Sequence, residues 1–193
     1  ELERLATHNP KDLEGMARFG INTENAWCIS VPNIRKLGKK IGHNHGLAQK
    51  LWNSKIHEAR WLVALVDEPE KLTEKDMENY VKDIDSWDIC DSMCSNLFDK
   101  TKFAYQKAEE WSGRSEEFVK RAGFVIMAAL SVHDKKANDE PFENFLEIVK
   151  REATDERNFV RKAVNWALSQ ISKSRNINLY KKRMVNTAKI KFG

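Results

Sequence analysis

Proline and glycine are scarce in this sequence, which has four prolines and eight glycines among 193 residues. Both residues interrupt helices or mark turns. Together with a charged content of 32%, this scarcity favours a mostly helical protein over a β-sandwich. Long hydrophobic runs are absent as well. The longest, 61–66 and 124–130, are far too short to span a bilayer, and no signal peptide is recognisable. We therefore expect a cytoplasmic protein that does not contact membranes.

Cysteine is also rare, and the three that occur are Cys28, Cys90 and Cys94. An odd number with no companion ligands suits reduced thiols in a cytosol. A zinc site is the alternative, because Cys90 and Cys94 are four residues apart and two histidines lie elsewhere, at His43 and His45. No paired spacing completes four ligands. We expect no metal and no cofactor.

Charge is distributed unevenly around a formal net charge of +4. Residues 173–193 carry seven basic residues and no acidic one, whereas residues 67–91 carry ten acidic residues and three lysines. Basic ends around an acidic middle are consistent with a nucleic-acid footprint. Solvated helix faces would give the same pattern, and charge alone leaves both interpretations open.

Helical periodicity dominates from residue 32 onward. Pro32 suits the first turn of a helix that Gly38 or Gly42 would end. Further helices are predicted at about 44–53, 55–66, 74–83, 86–98, 103–112, 115–131, 141–153, 156–172 and 176–190, joined by short connections.

Two segments repeat with a shift of 41 residues, because Glu117–Gly123 resembles Asn158–Val164. This period is typical of two-helix HEAT or armadillo units, and weaker echoes occur at 56–60 and around Trp87. Stacked helix pairs curve and leave a concave groove. We therefore predict an all-α, HEAT/armadillo-like helical-repeat solenoid with a concave basic groove, formed by residues 1–193 as a single domain. One repeat position, expected to face the groove, holds Arg60, Asp91, Arg121 and Lys162.

Two groups of residues are candidate sites. In the segment 86–91, Ser86 is expected to cap a helix in which Trp87 and Asp91, four residues apart, share one face. The pair would hold a flat or cationic ligand beside a negative charge, or it is a packed tryptophan next to a salt-bridged acid. Near the other end, Lys162, Trp166 and Lys173 share a second helical face, which suits a phosphate clamp with an aromatic surface, unless Trp166 is simply buried.

With these repeats and candidate sites, the chain resembles the DNA alkylation repair enzymes built of HEAT-like repeats, a class of alkylpurine DNA glycosylases. The resemblance covers nearly the whole chain and is carried by the order of five segments: 19–21 with the helix start 30–32, 57–60, 86–91, 118–122 and 159–166.

The resemblance implies a role for individual residues. It matches Asp91 to the family's catalytic aspartate, Trp87 to the tryptophan one turn before it, and Arg121 to a groove arginine. Trp166 matches a second groove tryptophan, and Lys173 matches a basic residue of the last repeat. Two departures are Ser169, where some members have a basic residue, and Ser30, where some have glutamine.

The chemistry implied is hydrolysis of the glycosidic bond of an N3- or N7-alkylated purine, whose positive charge already activates the leaving base. A carboxylate such as Asp91 would stabilise the oxocarbenium-like sugar and position water, and a nearby cation such as Arg121 would favour its ionised form. Trp87 and Trp166 would contact the sugar or the cationic lesion, each cation–π contact contributing about 0.5–2 kcal/mol.

Basic residues would hold the DNA backbone, namely Arg121, Lys162 and Lys173, with Arg60 at the equivalent position of an earlier repeat. The expected partner is double-stranded DNA carrying alkylated bases, bound by a monomer in the nucleoid-associated cytoplasm. The alternative is a non-catalytic HEAT-repeat module that binds DNA structures or protein partners.

Overall fold

The computed structural model describes residues 1–175, and in this range it contains α-helices, one 3-10 helix and no strand. The chain divides into two compact units, residues 1–104 and 105–193, and each is described by itself. The single-domain expectation stays a prediction. No helix within residues 1–175 is long and apolar enough to cross a membrane.

The first unit contains seven of these helices and the 3-10 helix. They are α1 (Leu2–Leu5), α2 (Pro10–Arg18), α3 (Val31–Ile41), α4 (His45–Asn53), α5 (His57–Val66), α6 (Glu74–Lys82), α7 (Trp87–Asn96) and the 3-10 helix (Phe98–Lys100). Helix α5 is central, because nine of its ten residues are buried and it packs against α3, α4 and α7.

The second unit contains the remaining described helices, the first of which begins at the unit boundary. They are α8 (Ala104–Ser112), α9 (Glu117–His133), α10 (Glu140–Arg151) and α11 (Asn158–Ser174). Helix α9 packs against α10 and α11, and its contact with α8 requires a glycine. A Cβ atom on Gly123 would lie 2.5 Å from the main-chain nitrogen of Ser112 and 2.9 Å from the carbonyl oxygen of Ala108.

The predicted helices from 44–53 to 156–172 are confirmed to within two residues at each end. The predicted helix at 176–190 lies outside the described residues. The 41-residue repeat is also confirmed, since α9 and α11 both have 17 residues and begin at 117 and 158. Helices α1 and α2 were not predicted, although Asn9 and Pro10 provide a start signal: the Asn9 side chain caps α2 and Pro10 occupies its first turn.

The second helices of successive repeats are α5 and α7 in the first unit and α9 and α11 in the second. Within each unit, the two helices contact each other at the same repeat position. This position lies three residues before Arg60, Asp91, Arg121 and Lys162 in the repeat, and it holds His57, Asp88, Phe118 and Phe159. In the first unit the contact is an ion pair, with His57 Nε2 2.8 Å from Asp88 Oδ2. In the second unit it is an aromatic pair, with ring centroids 5.5 Å apart.

Candidate functional site

Trp87 begins α7 and is held by the turn that follows α2. Its indole Nε1–H donates a hydrogen bond of 3.0 Å to the carbonyl oxygen of Phe19. That turn depends on Gly20, whose φ of 76° is in the left-handed region, and on the bond from the Ile21 N–H to the Met16 carbonyl, which is typical of a Schellman motif. The unpredicted helix α2 therefore orients the indole of Trp87.

Phe19 is itself unusual, because it is a large hydrophobic residue with 72% of its surface exposed. Trp87 is half-buried. The start of α7 thus presents one half-buried aromatic ring next to a turn that presents a second, largely exposed one.

Asp88 occupies the first turn of α7, where its carboxylate is bound by two neighbouring side chains. It pairs with His57 at 2.8 Å, and the Ser86 hydroxyl donates to its Oδ1 at 2.7 Å. Ser86 is the N-cap residue, as predicted, but its side chain makes no capping hydrogen bond, because its hydroxyl is directed to Asp88. Although burial opposes the charged form, the hydrogen bonds from His57, Ser86 and the Ile89 N–H lower the pKa of Asp88.

Asp91 lies one turn after Trp87 on the same face of α7, and its side chain is half-buried. The cysteines of this helix belong to the core, since Cys90 and Cys94 are fully buried. Burial, the hydrogen bond with Cys90 and the negative charges of Asp91 and Asp99 raise the pKa of the Cys94 thiol. Within residues 1–175 no group of three or more His, Cys, Asp or Glu side chains is arranged to hold a metal ion.

Arg60 is engaged within the protein, and its expected contact with DNA stays a prediction. Its side chain is only 8% exposed, and its guanidinium lies 4.8 Å from the Trp52 ring centroid. It donates to the carbonyl oxygens of Trp52 at 3.3 Å and Asp83 at 3.0 Å, and to the Asp83 carboxylate at 3.2 Å. These carbonyls are at the ends of α4 and α6, where helix carbonyls lack partners and attract cations. Arg60 therefore joins two helix C-termini.

Arg121 is also buried, with 5% of the residue exposed, and its Nη1 donates to the Phe159 carbonyl at 2.6 Å. The bond links the fifth residue of α9 to the first turn of α11, and the proposed contact of Arg121 with DNA stays a prediction. Next to it, Lys120 binds Glu152 at 2.6 Å and Asp155 at 3.0 Å. These two ion pairs of the buried Lys120, which sequence reasoning missed, fix the loop before α11.

Helix α11 carries the other predicted DNA-binding residues on one face. Lys162 and Lys173 are exposed at its two ends, and Trp166 and Ser169 lie half-buried between them. The opposite face is buried through Val160, Ala163, Val164, Ala167 and Ile171. The exposed face can therefore offer two ammonium groups and an indole surface to a ligand. Ser30 is the N-cap of α3, is exposed, and makes no side-chain capping bond.

The chain belongs to the DNA alkylation repair enzyme family, whose sequence profile matches residues 1–181. A search of curated proteins finds no significant relative.

Among solved structures, the chain is similar to a member of a family described as related to the HEAT-like repeat DNA glycosylases, with affinity for branched DNA structures. The TM-score is 0.80 at 19% sequence identity, over 94% of this chain and 76% of that chain. At this identity the similarity shows the fold alone, and it confirms the all-α, HEAT-like fold.

Proposed function

We propose that the protein is a DNA glycosylase that removes N3- or N7-alkylated purines from duplex DNA, with Asp91 as the catalytic carboxylate. One observation carries the proposal. In a chain of the DNA alkylation repair enzyme family, Trp87 and Asp91 are one turn apart on one face of α7, and neither is fully buried. An aromatic surface next to a carboxylate suits a cationic nucleotide.

The reaction breaks the bond between C1′ of the sugar and the purine nitrogen. The alkylated purine carries a positive charge, so it leaves with the bonding electron pair as a neutral base and needs no strong general acid. Asp91 stabilises the positive charge that develops on the sugar. Water then adds to C1′ and releases a proton, and a carboxylate on that side of the sugar can position the water, as in glycoside hydrolases.

Asp91 is a better candidate than its neighbour Asp88. Asp88 follows Trp87 directly, and neighbouring positions on a helix do not face each other. Asp91 lies one turn after Trp87, so its carboxylate and the indole can reach the same ligand. The Asp88 carboxylate accepts bonds from the His57 imidazole and the Ser86 hydroxyl and anchors the start of α7.

The phosphates are bound by the exposed face of α11, through Lys162 and Lys173, with Trp166 between them. Contacts of this type position a duplex without reading its sequence. Arg60 takes no part, because its guanidinium is engaged by the carbonyl oxygens of Trp52 and Asp83.

The first experiment measures release of free 3-methyladenine and 7-methylguanine from methylated duplex DNA. Asp91→Asn keeps the size of the side chain and removes its charge, and we expect release to fall by at least about 100-fold, as for other losses of electrostatic stabilisation. Glu70→Gln is the matched control, because Glu70 is exposed and the substitution removes the same charge. If the wild type releases no base, or if Asp91→Asn releases as much as the wild type, the proposal is wrong.

A second experiment tests the DNA-binding face of α11. Affinity for duplex DNA should fall steeply with salt, and each of Lys162→Ala and Lys173→Ala should make the slope of log K against log salt less steep by about 0.9. Lys136→Ala is the control, since Lys136 is an exposed lysine of the same unit outside this face. Equal slopes for all three variants would contradict the assignment.

A non-catalytic function is the second candidate, and the similar solved structure favours it, because that protein is described as having affinity for branched DNA structures. Competition between a four-way junction and a linear duplex of the same length distinguishes the candidates. A glycosylase should bind a duplex containing a lesion at least as tightly as the junction. A branched-DNA binder should prefer the junction and release no base.

A further inference from the structure

The ion pair between His57 and Asp88 connects the central helix α5 to the start of α7. The two side chains are 7% and 18% exposed, and the residues are 31 positions apart in the sequence. Asp88 directly follows Trp87 and precedes Asp91 by three residues. Helix α7 has no side-chain capping bond at its N-terminus, so its first turn is held by the bond of Trp87 to Phe19 and by the bonds of Asp88 to His57 and Ser86.

The repeat itself does not require an ion pair at this position. In the second unit, the equivalent residues Phe118 and Phe159 pack ring against ring at 5.5 Å, and α9 and α11 pack closely around them. Apolar replacement of a buried ion pair is often neutral or stabilising. The ion pair is therefore found in the unit that carries Trp87 and Asp91, at a repeat position where the second unit has an aromatic pair.

From this geometry we propose that His57 is a positioning residue, which acts through Asp88 to fix the first turn of α7 and, with it, the side chains of Trp87 and Asp91. The catalytic consequence rests on the proposed glycosylase function. The structural consequence, a fixed indole of Trp87, does not.

Charges around His57 favour its protonated form. Burial opposes that form, but the hydrogen bond and charge of Asp88, followed by the charges of Glu58 and Asp85, raise the pKa of His57. The titratable and charged groups that share its two adjoining cavities are Asp12, Cys28, Lys55, Glu58, Arg60, Asp85 and Asp88. The pKa of Asp88 is lowered and that of His57 is raised, so the ion pair is present between these two pKa values and is lost as the pH rises through the pKa of His57 in the folded protein.

The first unit contains a second His–Asp pair that serves as a control. His45 Nδ1 lies 2.7 Å from Asp67 Oδ1, at the opposite end of α5 from His57. His45→Gln and His57→Gln therefore remove the same type of group from the same type of partner, but only His57 is connected to α7 through its partner.

The first readout needs no enzymatic activity. The indole ¹H–¹⁵N resonance of Trp87, assigned by its absence in Trp87→Phe, reports the bond to the Phe19 carbonyl. We expect this resonance to shift with pH at the midpoint of the His57 imidazole, to lose that shift in His57→Gln and Asp88→Asn, and to keep it in His45→Gln. The proposal is overturned if the Trp87 resonance does not follow the His57 titration in the wild type, or if it shows the same pH-dependent shift in His57→Gln as in the wild type.

The second readout is the pH profile of base release. For the wild type, kcat should decrease on the alkaline side as His57 loses its proton. His57→Gln should lower kcat by about 10- to 100-fold, the size expected from misplacing a catalytic group by up to about 1 Å. It should also abolish that decrease, whereas KM should change less than kcat, because the phosphate contacts proposed on α11 are retained.

The outcomes separate the two proposals. If the Trp87 resonance follows His57 but the wild type releases no base, the glycosylase function is wrong and the positioning role stands. If the wild type releases base and His57→Gln keeps its kcat and pH profile, the positioning role is wrong and the glycosylase function stands.

Discussion

Replacement of Arg60 tests whether this residue holds the fold or binds DNA. In Arg60→Met, the packing of the long side chain is retained and the guanidinium is lost. Hydrogen bonds of charged groups contribute about 1.5–3 kcal/mol each. The two carbonyl bonds, at 3.3 and 3.0 Å, should each be at the lower end of this range, and the Asp83 side chain is 58% exposed, so its carboxylate adds little. We expect a loss of about 3 kcal/mol.

Thermal and denaturant unfolding measure this loss. For a protein of this size, a loss of about 3 kcal/mol corresponds to a decrease of about 6–12 °C in Tm. Arg35→Met is the control, because it removes the same charge from an exposed arginine whose guanidinium lies 5.9 Å from the Trp61 ring centroid. An exposed contact of this type contributes about 0.5–1 kcal/mol.

Duplex DNA binding, unlike stability, should not change in the same variant. Arg60→Met should leave the salt dependence of duplex binding unchanged, because the guanidinium of Arg60 contacts no phosphate. The reasoning is refuted if the free energy of unfolding changes by less than about 1 kcal/mol while the slope of log K against log salt becomes less steep by about 0.9.

Two further predictions concern the second unit and α2. Gly123→Ala should destabilise the protein by about 1–3 kcal/mol, because the new Cβ would lie 2.5 Å from a main-chain nitrogen of α8. Gly15→Ala, in an open part of α2, should instead stabilise it by about 0.5–1 kcal/mol, and urea unfolding compares the two. Hydrogen bonds from Arg157 and Lys120 lower the pKa of Asp155. These bonds therefore stabilise the folded protein above about pH 4, and their contribution is lost as the pH falls further. Lys120→Met should therefore shift the midpoint of acid unfolding, followed by circular dichroism, to higher pH.

The helices and the repeat could be predicted from the sequence because both depend on local spacing. The pattern of apolar residues places helices within two residues of their observed ends, and the 41-residue shift gives the common start of α9 and α11. The 4-residue α1 and the 9-residue α2 were missed, since such short segments contain few turns from which a period can be recognised.

The sequence by itself determined that Trp87 and Asp91 share a face of α7, because residues four apart on a helix are neighbours whatever surrounds the helix. It likewise determined the stripe of Lys162, Trp166 and Lys173 on α11. Equivalence in the repeat, however, does not determine what a side chain contacts. Arg60 occupies the same repeat position as Asp91, yet it is buried at the ends of α4 and α6.

Only the tertiary structure decided the partners that fix the candidate site. The Trp87 indole binds the carbonyl of Phe19 from 68 residues away, and Asp88 binds His57 from 31 residues away. Such pairs form only when packing brings distant segments together, because the buried polar groups must then find hydrogen-bond partners within reach. The sequence therefore determines which residues α7 presents together, and the packing of α2 and α5 against it determines how they are held.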